Sequence, residues 1–113
     1  MPTDTLKIPP QNIESEKALL GAIMLRPQTI NDIVTSITPD TFYVDKHAKI
    51  YKAMLALFGK NEPIDLISLA AKLKEQKIFE SVGGSSYLTE LINTVPSSTN
   101  IKHYGEIVRK KHI

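Results

Sequence analysis

Apolar residues at helical spacing, punctuated by proline and glycine, constrain this chain most, and the run EPIDLISLAAKLKEQKIFESVGGSSYL (residues 62–88) is the clearest case. Pro63 leads a turn into Asp65, whose side chain can cap a helix N-terminus. Leu66, Leu69, Ala70 and Leu73 then share one face, with Lys72, Lys74 and Glu75 outside. Val82-Gly83-Gly84 breaks the pattern. Ser85 or Ser86 can cap a following helix with Tyr87, Leu88, Leu91, Ile92 and Val95 as its stripe.

The same grammar runs through the rest. Residues 1–10 read as a flexible lead, stopped by Pro9-Pro10, which disfavours helix just before it. Asn12 can cap a first helix with Leu19, Leu20, Ile23 and Met24 on one face, and Gly21 within it implies a close helix contact. Pro27 suits the first turn of a second helix, with Ile30, Ile33, Val34 and Ile37 inward. Thr38-Pro39-Asp40 breaks it, and Phe42-Tyr43 anchors the connection to the core. Asp45 can cap a third helix carrying His47, Ile50, Tyr51, Met54, Leu55 and Phe58, with Gly59 as its C′ glycine. After the two helices of residues 62–95, Pro96 stops the fifth, and Ser97 or Ser98 starts a sixth.

The fold class is therefore all-α. Residues 11–80 form a globular bundle of about four helices, and residues 84–113 form a C-terminal antiparallel helical hairpin, since a short link forces its two helices side by side. The hairpin carries more apolar surface than one seam needs. The surplus, with Leu88, Leu91, Ile92, Ile101, Tyr104 and Val108 as candidates for self-association, faces either another copy of the chain or helices one to four. No Gly, Asn or Pro ends the sixth helix before Ile113, so the chain reads as a piece of a longer protein.

Composition narrows the function classes. The 113 residues suit one domain, and 42% hydrophobic content lets it fold without metal or disulfide staples. With no cysteine, disulfides and thiolate metal sites are excluded. The longest apolar run, from Ala18 to Leu25, is far short of the roughly 20 residues of a membrane span. The N-terminus lacks the apolar region of a secretory signal, so a cytoplasmic location is expected. A net charge of +2 does not by itself argue for nucleic acid. The cations Arg109, Lys110 and Lys111 suit a helix C-terminus or solvated surface.

Catalytic signatures are missing. Gly59-Lys60 is followed by Asn61 and has no glycine five residues before it, so it does not build a phosphate-binding P-loop. Glu14 and Glu16, two apart on a helix, diverge and do not make an acid–base pair; their expected role is to complement the dipole at that helix start. His47 lies on an inward stripe, where a satisfied core or capping histidine is expected rather than a ligand. No catalytic, cofactor or metal residues are assigned. The alternative binding module is a helix-turn-helix over helices four and five. Its reading helix would offer Ser85, Ser86, Tyr87, Thr89 and Glu90, without a cation until Lys102, which suits DNA poorly.

Four blocks in series, PPQNIESEKALLGAIML, FYVDKHAKIYKAM, residues 62–88 and VPSSTNIKHYGEIVRKK, resemble the N-terminal domain of the bacterial replicative DNA helicase, the DnaB family, over Leu6 to Ile113. Pro9-Pro10, Glu14, Glu16, Leu20-Gly21, His47, Pro63-Ile64-Asp65-Leu66, Gly83-Gly84, Tyr87-Leu88, Tyr104 and Arg109 fall on the pattern. Ser15, where Ala is usual, and Ala48, where Arg commonly follows the histidine, depart from it. The resemblance implies a domain whose hairpins pair between subunits of a hexameric ring and on which the C-terminal domain of primase docks. Tyr87 and Glu14 are the expected primase contacts, Tyr87 being either an interface anchor or a core tyrosine of the hairpin seam. It implies no cofactor here, ATP and Mg being expected only in the missing ATPase domain, with no strong nucleic-acid binding and no membrane contact. The fragment is thus expected to be no enzyme, while its parent unwinds DNA using ATP.

Overall fold

Each break in the apolar pattern becomes a turn, and the segments between become helices. The computed structural model describes residues 10–95 and 105–109. Helix α1 spans Pro10–Leu25, α2 Asp45–Gly59, α3 Leu66–Glu75 and α4 Gly84–Thr94, with 3-10 turns at Pro27–Asp32 and Pro39–Thr41. Residues 105–109 are helical as well. The domain is all-helical, and no helix among the described residues is long and apolar enough to cross a membrane. The lead at 1–9, the Pro96 stop, the Ser97 or Ser98 cap, Ile101, Tyr104, Lys110, Lys111 and His112 lie outside the described residues.

Helix α1 is the centre of the fold. It packs on α4 most extensively and also against α2 and the first 3-10 turn. Leu19, Leu20 and Ile23 have no exposed surface, and Ala18, Ala22 and Met24 are buried as well. A helix surrounded in this way does not need the one-sided stripe that the sequence suggested. Gly21 lies directly against the C-terminal end of α4. A Cβ built there would lie 2.1 Å from the Leu91 carbonyl oxygen and 2.7 Å from Val95 Cγ2.

Several local expectations are corrected. The second helix is a 3-10 turn followed by looser turns, although Ile30, Ile33 and Ile37 still point inward. The side chains of Thr29, Asn31 and Ser36 bond backbone carbonyls three residues back, which competes with regular α-helix. Helix α1 begins at Pro10, ahead of the expected Asn12 cap. Asp45 is the first residue of α2 rather than its cap, a position held by Val44. Gly59 is the last residue of α2, and the left-handed position falls on Asn61 (φ 58°). There Asn61 N–H donates to Phe58 O and Glu62 N–H to Leu57 O, the paired bonds that close a helix C-terminus. Lys77 (φ 62°) closes α3 in the same way, with Ile78 N–H donating to Leu73 O. The Asp65 cap is present, accepting from Ser68 N–H at 2.8 Å.

One apolar cluster joins all these elements. Ile50, Tyr51 and Met54 from α2, Leu69 and Leu73 from α3, and Leu88 and Leu91 from α4 meet the α1 residues without exposed surface. Val108, 3% exposed, belongs to the same cluster, and Gly105 lies near Ile33 and Ile37. Leu88 and Leu91 therefore have no surface, and Val108 almost none, to give a neighbouring copy, which corrects their place among the self-association candidates. Ile92 is half-buried at the edge of the core.

Candidate protein-docking site

Helix α2 starts without a cap of its own, since the Val44 side chain has no oxygen. The two amides just ahead of it, those of Tyr43 and Val44, are met by a carboxylate from α1. Glu16 accepts from Tyr43 N–H at 2.7 Å and Val44 N–H at 3.3 Å, and it lies 2.7 Å from His47 Nδ1. The side chain is 3% exposed. A charge so deeply buried is tolerable only with several donors around it, and the positive end of the α2 dipole adds to them. Glu16 thus complements a helix dipole, but that of α2 rather than of its own helix. The two glutamates do diverge: Glu14 is exposed at the surface.

His47 carries the chain of bonds onward. It has no exposed surface, and its Nε2 meets the Tyr87 hydroxyl. In the neutral imidazole, a carboxylate at Nδ1 places the ring proton there and leaves Nε2 as the acceptor for the Tyr87 O–H. The expectation of a satisfied inward histidine is met. The Tyr87 and His47 rings lie 5.8 Å apart and 15° from parallel.

Tyr87 owes its position to the glycine pair. Gly83 (φ 110°) caps α4 and Gly84 (φ 64°) opens it, ahead of the Ser85 and Ser86 expected as caps. A Cβ on Gly83 would stand 2.4 Å from Tyr87 Cβ, so the turn has no room for another residue type. Tyr87 is half-buried, with the Lys46 ammonium 3.7 Å from its ring centroid and that of Lys17 at 6.0 Å. Burial first, then the negative charges of Glu90, Glu16 and Glu14, push its phenol up to about 12.

Around the ring the surface is charged. Lys17 reaches Glu90 across the α1–α4 contact at 2.6 Å and Glu14 on its own helix at 3.8 Å. The hydrogen bond from Lys17 holds Glu90 below the usual carboxylate range and raises Lys17 in turn. The structure therefore brings both Tyr87 and Glu14 near the Lys17 ammonium. Sequence reasoning saw Glu16 and His47 singly and missed their pairing, along with Lys17, Lys46 and Glu90. Periodicity reports which face a residue takes and not which residue it meets 31 positions away.

The arrangement is poor in chemistry. The tyrosine proton is tied inward and its phenol is a weaker acid than usual, the opposite of an activated nucleophile. Among the described residues no cluster of metal-ligating side chains occurs. An open concavity of about 370 Å³ between α2 and α3, lined by Leu57, Lys60, Pro63, Ala71, Lys72 and Glu75 among others, shares no residue with the Glu16–His47–Tyr87 chain.

These features define a helical module whose buried polar groups join helices and end on a half-buried aromatic ring at the surface. The chain belongs to the DnaB-like helicase N-terminal domain family, whose model matches residues 8–110. It is 46% identical over 113 residues to the replicative DNA helicase DnaC of Bacillus subtilis (strain 168), covering 98% of this chain and 25% of that protein. It is 40% identical over 107 residues to the replicative DNA helicase DnaB of Geobacillus stearothermophilus, covering 95% of this chain and 24% of that one. The chain thus spans about a quarter of the length of these relatives. A crystal structure of the N-terminal domain of DnaB helicase from Mycobacterium tuberculosis superposes with a TM-score of 0.86 at 36% identity, over 93% of this chain and 73% of that one. A DnaB-like replicative helicase, whose structure addresses its interactions with primase, gives 0.78 at 34% identity, over 88% of this chain and 23% of that one.

Proposed function

We propose that this domain is a non-catalytic docking and assembly module of a replicative helicase. It receives the C-terminal domain of primase and helps pair subunits in a hexameric ring. ATP, magnesium and the unwinding of duplex DNA belong to the rest of the parent protein. The observation that carries the docking part is the meeting of Tyr87 and Glu14 around Lys17, two residues far apart in the chain that share one charged, partly aromatic patch. A half-buried ring with charged neighbours is the kind of group that anchors protein interfaces. Of the self-association candidates that the structure describes, Ile92 keeps surface for pairing.

Calorimetric titration of this chain with a primase C-terminal domain tests the docking. Reversing the exposed charge with Glu14→Lys is expected to weaken binding about tenfold while leaving the melting temperature within a few degrees. Unchanged affinity in both Glu14→Lys and Tyr87→Ala would remove this patch as the docking surface.

A further inference from the structure

We infer that His47 is a positioning residue for partner docking: its Nε2 holds the Tyr87 hydroxyl, while its Nδ1 is itself held by Glu16. The inference rests on the docking role of Tyr87 and adds how that side chain is kept ready. Two groups restrict the ring: Lys46 lies over its face and His47 fixes the hydroxyl end, while Gly83, having no side chain, leaves the tyrosine its place. His47 is fully buried and bonded at both nitrogens, so it has no freedom of its own to transmit. Glu16 in turn holds the backbone amides of Tyr43 and Val44 just ahead of α2, which ties the surface tyrosine to backbone far from it in the chain.

Ordering a side chain at an interface lowers affinity by a few-fold to about tenfold, and a ring ordered beforehand avoids that loss. His47 reaches no partner in this scheme. Its effect passes wholly through one hydrogen bond, and this separates positioning from direct contact.

Two amide replacements divide the imidazole's roles. An Asn amide overlays Nδ1 and keeps the Glu16 bond, whereas a Gln amide overlays Nε2 and keeps the Tyr87 bond. Binding of a primase C-terminal domain is measured calorimetrically for His47→Asn, His47→Gln, Tyr87→Phe and the His47→Asn/Tyr87→Phe double variant, each checked for helicity and melting. The expected result is a few-fold to about tenfold weakening in His47→Asn and in Tyr87→Phe, no further loss in the double variant, and rescue by His47→Gln. Additive losses, or equal loss in the Asn and Gln variants, would overturn the inference. Should the His47 variants fail to fold, nitrogen NMR of the unmodified chain above the imidazole titration range decides. A ring proton on Nδ1 supports the assignment, and one on Nε2 ends it. Loss of binding in Glu14→Lys and Tyr87→Ala but not in His47→Asn would defeat this inference alone, whereas no loss in any variant would defeat the docking role as well.

Discussion

Glu16 and Tyr87 show how differently a residue can read alone and in place. Glu16 looked like an ordinary helix-start carboxylate, yet it is buried and holds the amides of Tyr43 and Val44 just ahead of α2. Tyr87 was legible as something special because it follows the glycine pair, but nothing local named its partner. Two phenols give this scale its prediction. Burial, the leading cause for both, raises Tyr51 and Tyr87 from 10.0 to about 12, and Tyr51 also donates to the Ile37 carbonyl at 2.8 Å. The folded state holds these protons more tightly than the unfolded chain. Their contribution is therefore complete below pH 10 and lost as pH rises through about 12. Tyrosinate absorbance followed with circular dichroism should show two phenols ionising only as helix is lost. Ionisation of all four tyrosines near their ordinary value with helicity intact would contradict it.

At the level of elements, Gly21 sets two principles against each other. Helix propensity says that Gly21→Ala should stabilise α1 by about 1 kcal/mol. Geometry says the opposite, because the added methyl would meet the Leu91 carbonyl oxygen and carbon, at 2.1 Å and 2.8 Å, and backbone cannot swing aside as a side chain can. Overpacking of this kind costs about 1–3 kcal/mol, so the contact wins and the variant should melt lower. A higher melting temperature would mean that α1 and α4 stand further apart than described. The sequence pointed to the close contact without naming α4. It failed where local hydrogen bonds compete with helix, as at Thr29, Asn31 and Ser36, and where a non-glycine residue takes the left-handed turn, as at Asn61.

For the whole molecule, the apolar spacing was enough to give an all-helical fold and most of the buried residues. It was not enough to divide the stripe on α4 between core and interface, because three- and four-residue spacing marks a buried face without saying what buries it. The structure assigns Leu88 and Leu91 to the chain's own core. Accordingly, Leu91→Ala should cost about 2–5 kcal/mol of stability by leaving a cavity. Light scattering should find its oligomeric state unaltered, and a lost dimer with unchanged stability would return Leu91 to the surface.

The bond chain from Glu16 through His47 to Tyr87 draws on three helices and on residues 31 and 40 positions apart. If any one helix were absent, the other two would be left with a carboxylate or an imidazole in apolar surroundings and a partner missing, a penalty that discourages every half-assembled form. Order at the surface ring is thereby tied to the coming together of all three helices. On the docking role proposed for Tyr87, a partner would meet either the finished face or an unfolded chain, with little in between.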